Sequence, residues 1–193
     1  NDIKLGANQF TMALKNSIAK LSLDSFVAYE GTGKGVVTIN AQNTPYKIAT
    51  NFDLDKIEAQ PLLTDAAGFD KLMGKGSLSW NLTTAGQSQK TFINALNGKL
   101  GFKFADGAVK GANVAEMVRK GKELVKGNFN AVSEGLDTGF EESEKTDFSA
   151  LSGSFNFTNG VGKNTDLSLI SPLIRISGEG DVDLPQTLVN YRL

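Results

Sequence analysis

Residues 146–193 read TDFSALSGSFNFTNGVGKNTDLSLISPLIRISGEGDVDLPQTLVNYRL, a series of short segments in which apolar and polar residues alternate. Phe155 and Phe157, for example, alternate with polar neighbours and are followed by Asn159-Gly160. Successive side chains of a β-strand point to opposite faces of a sheet, and Asn-Gly between alternating segments is a strong hairpin signal. The stretch therefore predicts short antiparallel strands with one apolar and one polar face.

Two upstream segments show the same alternation. Their apolar faces contain Leu78, Trp80 and Leu82 in the first segment, and Leu100, Phe102 and Phe104 in the second. Counted along the whole chain, such segments amount to about ten short strands separated by turn residues, a pattern that favours antiparallel meander connections over βαβ crossovers. Glycines cluster at the predicted strand starts and commonly mark bends, so a curved sheet is expected.

Three segments break the alternation and show helical spacing of their apolar residues: residues 60–73, 88–96 and 113–126. The third begins with a capping signal, since Asn113 is followed three residues later by Glu116. These segments predict two or three helices that pack against the apolar face of the sheet. The predicted fold class is therefore α+β, with a curved, mainly antiparallel, elongated and groove-like sheet.

The whole chain, residues 1–193, is predicted to form one domain, because its length suits a single core. Residues 128–145 are polar, glutamate-rich and interrupted by glycine, a composition that predicts a mobile loop. The chain begins at Asn1 without a methionine or a signal peptide, so we expect a piece excised from a longer protein. No window contains the roughly 18 consecutive apolar residues that a spanning helix needs.

Composition excludes several classes of function. The 20 basic and 21 acidic side chains give a net charge of −1, which provides no general attraction to nucleic acid. The chain contains no histidine and no cysteine, which excludes Ser-His and Cys-His catalysis and removes the commonest metal ligand. We therefore predict no catalytic residues, no metal site, no cofactor and no enzymatic activity.

A glycine-rich segment between Gly31 and Gly35, GTGKG, has the composition of a phosphate-binding loop. Its spacing differs from the Walker pattern, and it leads into an alternating strand where a phosphate loop requires a helix. We interpret it as a bend before a strand.

The C-terminal stretch also resembles the C-terminal region of the AsmA family of Gram-negative envelope proteins. The matching residues are Asp147, Phe148, Leu151, Gly153, Phe155, Asn159, Gly160, Asp166, Leu167, Ser171, Pro172, Arg175, Gly178, Gly180, Val182, Leu184, Tyr191 and Leu193. A second segment, LNGKLGFKFADGAVKGANVA at residues 96–115, resembles an upstream motif of the same family and occurs in the family's order. The resemblance covers nearly the whole chain.

This resemblance implies a location and a role. It implies a periplasmic domain of a protein that is anchored in the inner membrane by a part of the polypeptide outside this chain. It also implies participation in outer-membrane assembly, in a family associated with the movement of phospholipid along β-sheet grooves. Phospholipid acyl chains and other envelope proteins are the partners that follow from it.

A physical count leads to the same candidate site. About ten strands each present an apolar face, and three modest helices cannot cover all of it, so the remainder must line a groove or meet a partner. Acyl chains would bind to the apolar face while polar headgroups stay at the rim. The candidate lipid-binding residues are Leu78, Trp80, Leu82, Phe102, Phe104, Phe155 and Phe157.

Three alternatives remain open at this point. The aromatic side chains can be ordinary core residues packed under the helices. The domain can be a scaffold module that binds envelope proteins by strand addition at a sheet edge, without lipid. The third alternative is a carbohydrate-active or surface-binding β domain that uses Trp80 and carboxylates. It requires Trp80 on the polar face of its strand, whereas the alternation places Trp80 with Leu78 and Leu82.

Overall fold

The computed structural model describes residues 5–111, 145–172 and 174–193. In this part of the chain ten strands form one antiparallel sheet in sequential order, each strand paired with its neighbours in sequence. The strands are β1 (Leu5–Lys15), β2 (Ile18–Ala28), β3 (Gly31–Asn40), β4 (Tyr46–Glu58), β5 (Leu72–Gly86), β6 (Asn97–Lys110), β7 (Lys145–Thr158), β8 (Val161–Ile170), β9 (Arg175–Asp183) and β10 (Leu188–Arg192). The first and last strands do not pair with each other, so the sheet is open.

Tight turns keep the meander compact. The turn between β7 and β8 is Asn159-Gly160, as the sequence predicts, with φ of 50° and 81°. Tyr29 and Glu30, between β2 and β3, also adopt positive φ, of 47° and 63°. Two consecutive residues with positive φ are typical of the type I′ turn, whose twist matches that of the flanking strands.

Register places the alternating apolar residues on one face. Phe52 of β4 lies opposite Trp80 of β5, Trp80 opposite Leu100 of β6, and Leu100 opposite Phe155 of β7. Side chains directly opposite each other in an antiparallel pair lie on the same face, so these residues form a continuous apolar row. Register shifts in six of the nine strand pairs interrupt the ladders, and such bulges bend a sheet.

Two short helices pack against the sheet in the described residues. Helix α1 (Ala59–Ala67) joins β4 to β5, and helix α2 (Gln89–Asn94) joins β5 to β6, so the two helices lie near opposite ends of β5. Helix α1 is shorter than the predicted segment 60–73 because Gly68 ends it in the left-handed conformation, with φ of 67°. Leu72, the first residue of β5, then pairs with β6.

Helix α2 matches the segment predicted at residues 88–96. Ser88 is its N-cap, and the Ser88 hydroxyl accepts a hydrogen bond from the backbone N–H of Thr91 at 3.3 Å. The Thr91 hydroxyl accepts in return from the Ser88 backbone N–H at 3.0 Å, which completes a capping box.

The α+β prediction needs correction, because strands account for most of the described residues and the fold is better described as all-β. Two of the segments with helical periodicity do contain a helix, but within the described residues these helices are only nine and six residues long. The predicted third helix, at 113–126, lies outside the described residues. The predicted loop at 128–145 does so as well, except for Lys145, which begins β7.

The buried core lies in two clusters around α1. One contains Ala59 of the helix together with Leu72, Phe104, Phe148 and Leu169. The other contains Phe26, Ala28, Leu54 and Ile57. Leu62 and Leu63 of the helix pack against different clusters, so α1 fills the space over its end of the sheet.

Candidate functional site

The aromatic residues of the apolar face form two groups. In the first, the rings of Phe52 and Trp80 are stacked with centroids 4.8 Å apart, and Phe26 meets Phe52 edge-on at 6.2 Å. Trp80 is held in place by its indole N–H, which donates a hydrogen bond to the Thr50 hydroxyl at 3.2 Å. The Trp80 ring is therefore on the apolar face, as the alternation predicts, and its polar atom has a partner.

The second group contains four phenylalanines on β6 and β7. Phe102 and Phe155 are stacked with centroids 6.4 Å apart. The ring centroid of Phe104 lies 6.3 Å from that of Phe102, and the ring centroid of Phe157 lies 6.2 Å from that of Phe155. The structure thus brings all four predicted phenylalanines together.

Glycines on neighbouring strands make room for these rings. Each of five aromatic residues lies directly opposite a glycine: Phe26 with Gly33, Phe52 with Gly35, Phe104 with Gly76, Phe102 with Gly153, and Phe157 with Gly162. A Cβ added at Gly33 would lie 2.5 Å from Cζ of Phe26, and one added at Gly162 would lie 2.6 Å from Cε1 of Phe157. The rings therefore lie over the backbone of the adjacent strand, where any larger residue would displace them.

This finding corrects the interpretation of the segment Gly31–Gly35. The segment is the first half of β3, where Gly33 and Gly35 pair with Leu54 and Phe52 of β4. Their role is to accommodate side chains from the neighbouring strands. They form neither the predicted bend nor a phosphate-binding loop.

Burial divides the seven candidate residues into two sets. Phe104 is 4% exposed and belongs to the core cluster that α1 covers. The other six, namely Leu78, Trp80, Leu82, Phe102, Phe155 and Phe157, are half-buried. Their partial exposure shows that, in the part of the chain the structure describes, the middle of the face is incompletely covered.

Coverage is concentrated near the two ends of β5. Helix α1 packs on β4 and β5, and helix α2 packs on β5. At the α2 end the carbonyl of Leu96 accepts a hydrogen bond from the backbone N–H of Gly160 at 2.8 Å, which ties the helix exit to the β7–β8 turn. The apolar surface between these two ends forms the candidate site.

The opposite face of the sheet is polar. On β5 it carries Ser79 and Asn81, which pair with Asp53 and Asn51 of β4 respectively. On this face the Nζ atom of Lys34 lies 4.0 Å from Oδ2 of Asp53, and both side chains are more than half exposed. Exposed ion pairs of this kind contribute little stability, so this face behaves as a solvated outer surface.

A polar network on β7, β8 and β10 was not predicted from the sequence. The buried Asn164 donates from Nδ2 to the Ser154 carbonyl and to Asp166 Oδ1, both at 2.7 Å. Its Oδ1 accepts from the Leu167 backbone N–H at 3.2 Å and from the Tyr191 hydroxyl. We call these five residues the Asn164 network.

The network has consequences for ionisation. The Ser154 hydroxyl donates to Asp166 Oδ2 at 2.7 Å, and this hydrogen bond is the main reason that the pKa of Asp166 lies below its usual value. Burial raises the pKa of Tyr191, and the negative charge of Asp166 adds to the effect. Tyr191 therefore remains a hydroxyl donor at neutral pH.

A break in the alternation signals this network. Gly162 faces Phe157 on the apolar side, whereas Leu169, an odd-numbered residue, faces Leu151 on the same side. Along β8, the residues that face the apolar side therefore change from even-numbered to odd-numbered positions, and such a change requires a bulge. The register between β8 and β9 shifts between Asn164 and Leu167. The network supplies hydrogen bonds where the ladder is interrupted.

The fold and this face together define a class of protein: an open antiparallel meander whose continuous apolar surface is backed by a polar one. The chain belongs to the AsmA family, whose profile matches residues 3–167. That family is associated with the bacterial envelope and with outer-membrane assembly. The match includes the segment at 96–115 and the first part of the C-terminal stretch, while the resemblance at Ser171–Leu193 lies beyond it.

No curated protein and no solved structure matches the chain significantly. Among residues 5–111, 145–172 and 174–193, no helix is both long enough and apolar enough to cross a bilayer.

Proposed function

We propose that this chain shields phospholipid acyl chains on the apolar face of its sheet and so serves outer-membrane assembly from the periplasm. The observation that carries the proposal is the row of half-buried aromatic and aliphatic side chains between the two helical ends. The membrane anchor would be supplied by a part of the polypeptide outside this chain.

The geometry suits a flexible apolar ligand. The rings of Phe102 and Phe157 lie over glycines of the neighbouring strands, so their apolar faces form part of the surface of the sheet. Such a surface binds hydrocarbon through removal of area from water, at about 0.8 kcal/mol per buried methylene, and requires no directional contact. It would therefore accept acyl chains of different length and saturation.

Polar headgroups would stay in water at the rim of the apolar face, while the acyl chains follow the apolar rows. The mechanism is noncovalent, and we propose no enzymatic activity.

The first test uses one natural probe, because Trp80 is the sole tryptophan of the chain. Phospholipids brominated along the acyl chain quench tryptophan fluorescence only on close approach. We expect vesicles of acyl-brominated phospholipid to quench the fluorescence of Trp80. The same quenching is expected in purified complexes of the protein with that phospholipid. Unquenched Trp80 at saturating lipid would contradict the proposal.

The second test compares adjacent residues of β7. Phe155→Glu places a charge on the apolar face, and Asn156→Glu places the same charge on the exposed polar face. Native mass spectrometry of protein purified without detergent should show stoichiometric phospholipid on the wild type and on Asn156→Glu, with loss on Phe155→Glu. Far-UV circular dichroism checks that both variants keep the sheet. A wild-type protein that stays lipid-free after incubation with vesicles would overturn the proposal.

A second candidate function is a scaffold module that binds proteins of the envelope through the sheet edge. The exposed apolar residues of β1 favour it specifically. In that case Trp80 would remain unquenched while protein association persists.

A further inference from the structure

Two Asn-Gly pairs meet at the α2 end of the sheet. Asn97-Gly98 begins β6, and Asn159-Gly160 forms the turn between β7 and β8. The backbone N–H of Asn159 donates a hydrogen bond to Oδ1 of Asn97 at 3.1 Å. Asparagine is a thermolabile residue, and it loses its side-chain amide most readily before glycine, which has no Cβ to hinder the reaction. The fold thus brings the two Asn-Gly pairs of the sequence into contact.

Deamidation at Asn159 uses the backbone nitrogen of Gly160 as the nucleophile. This nitrogen loses its proton and attacks Cγ of the Asn159 side chain. The new C–N bond closes a succinimide ring, the bond from Cγ to the side-chain nitrogen breaks, and that nitrogen leaves with the proton as ammonia. Water then opens the ring at one of its two carbonyls and gives aspartate or isoaspartate. The reaction therefore needs water alone and a free N–H at Gly160.

In the folded chain this N–H is engaged. It donates to the carbonyl of Leu96 at 2.8 Å. Gly160 is buried, and a Cβ added to it would lie 2.5 Å from the carbonyl oxygen of Ile93 in α2 and 2.8 Å from Cδ of Pro185. A nitrogen enclosed in this way is shielded from hydroxide, even though the Asn159 side chain itself is exposed.

Asn97 is protected by contacts of a different kind. Its Nδ2 donates to the carbonyl of Ala95 at 2.8 Å, while its Oδ1 accepts from Asn159. Gly98, which would supply the nucleophile for Asn97, is paired with β5 on one side and with β7 on the other. If the α2 end moves away from the turn, Gly98 keeps these strand pairs, whereas Gly160 loses its acceptor.

We propose that Asn159 is a deamidation site controlled by the α2 end, protected while that end is closed and reactive when it opens. Isoaspartate routes the backbone through the side-chain carbon and lengthens the turn, so the hydrogen bonds to Leu96 and Asn97 no longer form together. Each molecule modified in this way then stays open at the α2 end. The reaction requires no lipid, so its test is independent of the function proposed above.

The first experiment compares the folded and the unfolded chain. Both are incubated at mildly alkaline pH, the second in guanidinium chloride, and are then digested with trypsin. Cleavage after lysine places the two asparagines in separate peptides, 91–99 and 146–163. Tandem mass spectrometry locates the mass increase that accompanies replacement of the side-chain amide by a carboxyl group.

The unfolded chain gives the reference rates, and there Asn97 and Asn159 should react at similar rates. In the folded protein Asn159 should react at least about tenfold more slowly than in the unfolded chain, and Asn97 more slowly still, because reaction must await local opening. Equal rates for Asn159 in the folded and unfolded chains would overturn the proposal. Reaction of Asn97 ahead of Asn159 in the folded protein would overturn it as well.

The second experiment removes one hydrogen bond of the turn. Asn97→Ala deletes the acceptor of the Asn159 N–H, whereas Asn94→Ala, the matched control in α2, removes an exposed side chain. In the folded protein Asn97→Ala should speed the deamidation of Asn159 several-fold, and Asn94→Ala should leave it unchanged. In guanidinium chloride Asn159 should react alike in both variants and the wild type. An unchanged rate in folded Asn97→Ala would contradict control by the α2 end.

Hydrogen exchange of the Gly160 amide measures the same opening directly. Asn97→Ala should speed this exchange by the same factor as the deamidation of Asn159, because both need the Gly160 N–H to leave Leu96. Far-UV circular dichroism checks that the variant keeps the sheet. If it does not fold, the wild type is compared at increasing concentrations of denaturant below its unfolding transition, where the two rates should rise in parallel. Faster deamidation without faster exchange at Gly160 would overturn the proposal in either protein.

Discussion

Removal of the Asn164 side chain should strongly destabilise the C-terminal half of the sheet. Asn164→Ala deletes two donated hydrogen bonds, to the Ser154 carbonyl and to Asp166, and two accepted ones, from the Leu167 N–H and the Tyr191 hydroxyl. Asn164 is 1% exposed, so water cannot easily replace these partners. The expected loss reflects the groups left unpaired more than the bonds themselves.

The magnitude follows from those groups. Leaving a buried polar group unpaired costs about 1–3 kcal/mol, and the two donors that lose Asn164 are only partly buried. The lower half of that range applies to each of them. With the deleted packing, we expect a loss of about 3 kcal/mol in the free energy of unfolding, or roughly 10 °C in Tm for a chain of this size.

The assay is urea denaturation at neutral pH, with a double-mutant cycle between Asn164→Ala and Tyr191→Phe. Tyr191→Phe alone should cost about 1 kcal/mol, and the two effects should be non-additive because they share a hydrogen bond. Asn156→Ala, on the exposed polar face of β7, is the matched control and should change stability by less than about 0.5 kcal/mol. A loss below about 1 kcal/mol for Asn164→Ala, or strict additivity in the cycle, would refute the reasoning.

The remaining predictions concern other parts of the sheet. Gly33→Val should cost about 3 kcal/mol or more in thermal melts, because its Cβ would lie 2.5 Å from Phe26 and 2.6 Å from the Leu54 side chain; a neutral substitution would mean that these side chains can shift freely. Since the pKa of Asp166 is lowered, its contribution to stability is complete above the unfolded pKa and is lost as pH falls through the folded pKa. The urea midpoint of Asp166→Asn should therefore depend less on pH between pH 6 and pH 2 than that of the wild type. An equal pH dependence in the two proteins would contradict this. Lys75→Met should leave the urea midpoint near neutral pH almost unchanged, because the Lys75 and Glu30 side chains are both more than half exposed; a clear fall of the midpoint would show that the ion pairs of Lys75 are more than surface contacts.

Most strands could be predicted from the sequence because apolar and polar residues alternate along them with a period of two. Phe155 and Phe157, or Leu78 and Trp80, lie on a common face in the structure as their spacing requires. The sequential strand order follows from short connections with turn residues such as Asn159-Gly160. Local signals suffice where each strand pairs with its neighbour in sequence.

The helices were less well predicted, because helical periodicity says nothing about competing strand pairing. Leu72 fits the helical spacing of residues 60–73 but belongs to β5, where it pairs with Val109 of β6. The Gly68 stop was visible in the sequence, and it carries the αL conformation that ends α1. Val109 lies far along the chain from Leu72, so the sequence around Leu72 does not indicate this pairing.

The aromatic–glycine pairs were missed for a similar reason. Gly33 and Phe26 are close neighbours only once register is fixed, and so are Gly162 and Phe157. Seen along the sequence, such glycines resemble bends or loops. Seen across the sheet, they occupy the position where an aromatic ring on the next strand needs the space. Register, the property hardest to obtain from a single sequence, decides between these roles.

The glycine pairs also explain how an apolar face can stay open without losing the fold. A ring such as Phe102, lying over Gly153, is half-buried by the adjacent backbone before anything covers it from above. Part of the hydrophobic stabilisation is therefore obtained within the sheet, between neighbouring strands. Among the described residues, the strands in the middle of the face stay paired without a second layer, and the area that these residues leave exposed is the surface on which we propose that acyl chains bind. An apolar surface that can be covered and uncovered while the sheet persists is what reversible shielding of an acyl chain requires.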